Sequence, residues 1–255
     1  MRFWLIALWR TIPRSWIIIS IPVLLPLFLF VGWWFFGGLF YTPPDARQKA
    51  AKAELIALEP GAKAGDHSKQ YRSGIILRDG LTGKTDPAEA ARWFELAAKQ
   101  GDIGAEVALG DMYAKGIGVR QNFARAAEFY TAAARGNRNP DAEFRLGELY
   151  FFGRGFPQDY TLAVDWFRKA AFDGHAGAQS VMGSIYDQGF GVERSIVDAY
   201  AWYSLAAEHE SAALAARGDI DPREAAAKLK PTLNRLDLRN AERLLNETRA
   251  KVKTR

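Results

Sequence analysis

Apolar residues follow two different patterns along this chain. From Ile17 to Phe40 they run almost without a break: 24 residues carry no charge, and sixteen of them are Leu, Ile, Val or Phe. Further on they become periodic. Ala105, Leu109 and Tyr113 stand at i, i+4 and i+8, one face of a helix. Gly110 lies between the last two, and Gly116 and Gly118 follow. The same phrase returns as Ala142, Leu146, Gly147, Tyr150, Gly153 and Gly155, then as Ala178, Met182, Gly183, Tyr186, Gly189 and Gly191. The starts lie 37 and 36 residues apart. A fixed period of this size marks a solenoid rather than one globular core.

Each copy reads as a helical hairpin. The glycine between Leu (or Met) and Tyr leaves room for a second helix to approach, and the Gly-x-Gly pair ends the first helix because glycine takes the left-handed conformation at little cost. Four residues after the second Gly stands an N-cap residue: Asn122, Asp159 or Ser195. A second apolar face follows in each copy: Ala126, Phe129 and Ala133; Ala163, Trp166 and Ala170; Ala199, Trp202 and Ala206. Tyr113, Tyr150 and Tyr186, with Trp93, Trp166 and Trp202, are expected in the core. A fourth, degenerate copy lies upstream. Asp86-Pro87-Ala88-Glu89 gives it strong helix-start chemistry. Its first helix keeps Gly74 and Gly80 but has Ser73 in place of Leu or Met and Leu77 in place of Tyr.

These residues resemble the Sel-one-like repeat, a relative of the tetratricopeptide repeat. The resemblance covers roughly Lys69 to Ala207, and the Ala142–Gly174 copy carries it most completely. It implies an all-α fold, an α/α solenoid used for protein–protein contacts, with protein partners and no catalytic residues; the motifs themselves lead to no expected cofactor-binding or metal-binding residue.

The expected organisation follows. Residues 1–15 form a short basic arm with Arg2, Arg10 and Arg14, and 16–41 form a transmembrane helix. Residues 42–68 are a linker and lead helix: Ala46 to Leu58 reads as helical, with Glu59-Pro60-Gly61 as the stop. Repeats occupy about 69–104 (degenerate), 105–141, 142–177 and 178–210. Capping helices fill 211–255, with one starting at Asp221-Pro222-Arg223-Glu224, an interruption at Pro231, and a last helix capped by Asp237. At about 1.5 Å per residue the uncharged stretch is roughly 36 Å long as a helix, enough for a hydrocarbon core of about 30 Å. It exceeds the apolar region of a cleaved signal, and Gly37-Gly38-Leu39-Phe40-Tyr41 offers no convincing cleavage site, so a retained anchor is expected. The short leading arm favours its end inside and the solenoid outside, in a bacterial inner membrane with the repeats in the periplasm.

Charge narrows the function. The chain has a formal charge of +5. Residues 1–40 hold three Arg and no acid, which leaves 31 basic and 29 acidic residues, a balance that argues against a nucleic-acid partner. From Pro222 to Arg255 there are ten basic and four acidic residues. That tail reads as a solvated capping face, ahead of a site for anionic lipid or an acidic partner. Cysteine is absent, which removes disulfides and thiolate metal sites.

No catalytic constellation stands out. Gly83-Lys84-Thr85 resembles part of a phosphate loop but has Arg78 where the first glycine is required. His67, His175 and His209 stand far apart and show no metal-ligand spacing. One departure from the repeat is informative. On the face of the first helix expected to be exposed, the Ala142 copy carries Phe144, Glu148, Phe151 and Phe152. Three phenylalanines there either pack against a neighbouring helix or cover a protein partner. The function expected is a membrane-anchored scaffold or adaptor of the cell envelope, with an architectural subunit of a secretion or motility complex as the alternative and an enzyme disfavoured.

Overall fold

The structure, a computed structural model, describes residues 44–137 and 139–253. Contacts divide the chain into two compact units, residues 1–52 and 53–255. The expected arm and membrane span lie outside the described residues. Among the described residues no helix is long and apolar enough to cross a membrane.

The described chain is helical, with no strand among its described residues. The first helix, α1 (Pro44–Lys63), runs through Pro60 instead of stopping there. Pro60 has no N–H to give the carbonyl four residues back and crowds it, yet the turn continues, with the Pro60 carbonyl accepting from Ala64 N at 3.0 Å. Four hairpins follow: α2 (His67–Arg78) with α3 (Pro87–Ala98), α4 (Ile103–Lys115) with α5 (Phe123–Asn137), α6 (Pro140–Phe152) with α7 (Tyr160–Phe172), and α8 (Ala176–Gln188) with α9 (Ile196–Ala207). Each pairs internally and stacks on the next, so the fold is an α/α solenoid.

The sequence punctuates these helices as expected. Asp86, Asp159 and Ser195 are N-caps whose side chains accept from the backbone N–H three residues on, and the Asn122 side chain accepts from Arg125 N. Gly153 caps α6 at φ +64°, in the left-handed region. Gly155, at φ +81°, has a further role. A Cβ there would stand 2.8 Å from the Cβ of Phe123, so the second glycine of the pair lets the turn press on the preceding repeat.

Of the rings expected in the core only Trp202 is fully buried, and the central seat of each hairpin goes to a neighbouring ring. Tyr113, Tyr150 and Tyr186 are half-buried, as are Trp93 and Trp166, while Trp202 is buried. The rings filling the centre stand one residue later in the second helix: Phe94, Tyr130, Phe167 and Tyr203. Each lies against the glycine twenty residues before it, at Gly74, Gly110, Gly147 and Gly183. The glycine leaves a flat seat for a ring, and the ring buries far more apolar area than a helix backbone alone would.

Beyond α9 the repeat is truncated. Helix α10 (Glu210–Ala216) has seven residues. Helix α11 (Pro222–Leu229) is capped by Asp221, and a 3₁₀ turn at Lys230–Thr232 contains Pro231. The last helix, α12 (Arg235–Lys253), begins earlier than Asp237 implied. Asn234 accepts from Leu236 N and Asp237 N, and the Asp237 carboxylate accepts in return from Asn234 N, a reciprocal capping box.

Candidate functional site

The four residues singled out on α6 do not form one face; the structure sends them into three environments. Phe144 is 1% exposed, so it is not available to cover a partner. Its ring stacks on His175 at 4.3 Å and tilts against Phe167 at 5.5 Å. The cause is stacking. A helix inside a solenoid meets its own partner and the next hairpin, so a face that is outward on an isolated hairpin becomes an inter-repeat contact.

Glu148 joins a polar cluster instead. Its carboxylate accepts from Arg145 at 2.8 Å, and Arg145 also lies 3.6 Å from Asp111. Asp111 in turn accepts from the Tyr130 hydroxyl at 2.7 Å. Burial, with the neighbouring Asp111 charge, pushes the Tyr130 phenol well above its ordinary pKa, so it stays a neutral donor across the physiological range. The cluster ties α4, α5 and α6 together.

Phe151 and Phe152 belong to an aromatic cluster at the α6–α7 turn. Phe151 is half-buried. It meets Phe152 edge-on at 5.2 Å, Tyr160 at 5.0 Å and Phe190 at 5.6 Å. Tyr160 stacks on Phe190 at 5.3 Å. Phe152 and Phe190 are 45% and 37% exposed, and the Arg154 guanidinium lies over the Phe152 ring at 5.1 Å. Phe190 and Tyr160 had escaped notice in the sequence. The available signal was the residue inside each Gly-x-Gly, which is Ile117, Arg154 and then Phe190. Those side chains sit at the turn edge, and Ile117 is 47% exposed.

A second feature is a groove of 530 Å³ bordered by Asp111, Asp141, Arg145, His175 and the alanines of α10. His175 caps α8, its Nδ1 accepting from Ala178 N at 2.9 Å, and Asp141 lies 3.4 Å from its Nε2. The interaction with His175 holds the Asp141 carboxyl below the usual carboxylate range. His67 contacts Asp102 at 3.0 Å, and His209 begins α10 without a side-chain cap. Each histidine thus has a local setting of its own. No group of three potential ligands is gathered for a metal among the described residues. The arrangement offers hydrogen-bonding and aromatic surface for a macromolecule.

A chain built of stacked 36-residue hairpins with a glycine–ring seat in each is a helical repeat protein. Comparison defines the class further: this chain belongs to the Sel1 repeat family, whose model matches residues 29–52, 70–102, 103–137, 140–175 and 176–211. The first match takes in part of the stretch expected to span the membrane, together with the start of α1. The chain is similar to the alginate biosynthesis protein AlgK of Azotobacter vinelandii, 34% identical over 107 residues, 42% of this chain. That stretch spans 23% of the relative's length. Among solved structures, a Sel1 repeat protein from Oxalobacter formigenes matches at 32% identity with a TM-score of 0.57, covering 64% of this chain and 67% of that one. A protective antigen of uropathogenic Escherichia coli displaying an SLR fold matches at 28% identity and a TM-score of 0.47, over 78% of this chain and 48% of that one.

Proposed function

We propose that the protein is a membrane-anchored scaffold of the cell envelope that works by holding other proteins and catalyses no reaction. The observation carrying this reading is the exposed aromatic edge formed by Phe152 and Phe190 over Phe151 and Tyr160. Clustered aromatics are costly in water, and they are the side chains most often found at the energetic centre of protein interfaces. The uncharged 24-residue stretch before the repeats would confine that edge to a membrane and raise its effective concentration near envelope partners. The likeness to an alginate biosynthesis protein is in keeping with a scaffold that serves a biosynthetic assembly.

The test is a double variant, Phe152→Ser with Phe190→Ser, compared with wild type by crosslinking in intact membranes and affinity purification. Both side chains are substantially exposed, so the melting curve should be nearly unchanged. Partner recovery should fall by about tenfold or more if two aromatic anchors are lost. Unchanged recovery from a folded variant would remove this edge from the interface.

A further inference from the structure

We infer that the outer face of α12 is a docking surface for anionic phospholipid headgroups, holding the C-terminal end of the solenoid against the membrane. The inference rests on the membrane location proposed above. It begins from a charge imbalance: ten basic and four acidic residues lie from Pro222 onward, a surplus of six against +5 for the whole chain.

The structure shows which of those charges are free to act outward. Arg223 pairs with Glu210 and Lys228 with Glu224, each at 2.6 Å. Arg249 engages the Glu208 carboxylate, with one contact at 3.1 Å. Arg235, Arg239 and Lys230 have no ion-pair partner among the described residues, and Arg243 reaches Glu247 only at 4.0 Å. The free cations are also ordered. Helix α12 buries Ala241 and Thr248, and packs Leu245 and Val252 on the core that holds Phe144 and Phe167. At about 100° per residue, Arg239 and Arg243 fall opposite Ala241 and Arg235 on the adjoining flank, a row that slants by about 40° at each step of about 6 Å along the helix axis. Glu242 and Glu247 flank this row and do not interrupt it.

The occupant follows from that geometry. A guanidinium offers paired donors that match phosphate oxygens, and its charge persists at any physiological pH. Three of them in one slanting row, on the side of the helix turned from the core, suit a plane of phosphates. Leu236, beside the row and 58% exposed, can enter the interfacial region. The attraction acts only within a Debye length, about 8 Å at physiological ionic strength, so it requires this face to lie on the surface and makes it sensitive to salt.

The full chain reconstituted into vesicles tests this, using phosphatidylcholine alone or mixed with phosphatidylglycerol. The readout is modification of individual arginines by a dicarbonyl reagent, located by mass spectrometry, with the exposed Arg92 of α3 as the internal reference. Arg235, Arg239 and Arg243 should be protected several-fold in the anionic vesicles and not in the neutral ones, and high salt should abolish the protection. Equal reactivity in both vesicles would overturn the inference. So would protection that appears only when an envelope extract is added, which would assign the face to an acidic protein. Flotation separates the two proposals. A chain floating with both vesicles but lacking selective protection loses the docking face and keeps the anchor. One that floats only with anionic vesicles, with the row protected, keeps the face and loses the anchor.

Discussion

Replacing Gly147 tests the glycine–ring seat most directly. A Cβ added there would meet Phe167 at 2.6 Å from Cδ1 and 2.7 Å from Cε1. Carbon atoms in good contact stand about 3.5–4.0 Å apart, so roughly 1 Å must be found by moving the ring or parting α6 from α7. The ring has nowhere to go. Phe167 is 1% exposed and is held by Phe144 at 5.5 Å and Phe151 at 6.2 Å. Overpacking of this kind costs about 1–3 kcal/mol, whereas Gly→Ala inside a helix otherwise gains roughly 0.5–1 kcal/mol. Gly147→Ala should therefore be destabilising by up to about 2 kcal/mol, a fall of several degrees at 2–4 °C per kcal/mol for about 200 residues. Gly147→Val should be worse, having more bulk and a poorer helix propensity. Gly104→Ala is the control. Its Cβ would meet the tip of Tyr71 at 2.8 Å, but that ring is half-buried and can swing aside. Urea melts followed by circular dichroism give the comparison. A Gly147→Ala variant as stable as wild type, or no worse than Gly104→Ala, would refute the argument that the ring is locked.

Phe144 and Phe152 should separate core from surface: Phe144→Ala should cost about 3–5 kcal/mol in a denaturant melt, while Phe152→Ala stays within about 0.5 kcal/mol of wild type. Glu106 holds a place that Gln70 and Gln179 occupy 36 residues before and 73 after it, where the side-chain amides donate to Ala62 O at 2.9 Å and Ala171 O at 3.0 Å. Burial raises the Glu106 pKa from 4.5, and the like charge of Asp102 adds to the rise. A raised carboxyl binds its proton more tightly in the folded state, so its contribution is present below about pH 4 and is lost as pH rises through the folded value. Thermal melts of Glu106→Gln should show a gain of about 2–4 °C at neutral pH, through one hydrogen bond of about 1 kcal/mol to Ala98 O, and a smaller fall with rising pH. An unaltered pH profile would place the cause elsewhere. Carbonate washing should leave the full-length protein in the membrane pellet, and its release would remove the anchor from the proposal.

The fold was legible because its punctuation is local. Asp86-Pro87, Asp159 and Ser195 start helices by hydrogen bonds that reach three residues, and Gly153 ends one by its own backbone angle, so adjacent residues suffice to predict them. Pro60 misled for the same reason. A local rule ends the helix there, whereas the turn beyond it is held from outside: Ala62 is 1% exposed and its carbonyl accepts from Gln70 Nε2 at 2.9 Å. Except at Trp202, which is itself buried beside Tyr203, the ring positions were misassigned by a single residue. Spacing of i, i+3 and i+7 selects Ala163, Trp166 and Ala170, yet Phe167 fits the same stripe at i+4. Only the distance of twenty residues from Gly147, repeated at Gly74–Phe94, Gly110–Tyr130 and Gly183–Tyr203, decides between them.

The candidate site was less legible because exposure in a solenoid is decided by the next repeat. Phe144 and Phe151 are seven residues apart and so share nearly one helical direction. They differ in what lies beyond them. The chain entering α8 brings His175 onto Phe144, whereas at the far end of α6 the helix gives way to a turn, and the rings there meet Phe190 from the following turn. Burial thus declines along one stripe of one helix, from its start toward its end. A periodicity argument assigns a direction and carries no information on height along the axis. The aromatic edge could be located only after the neighbouring turn was in place, and that is why Phe190, 38 residues beyond Phe152, completes a cluster that α6 begins.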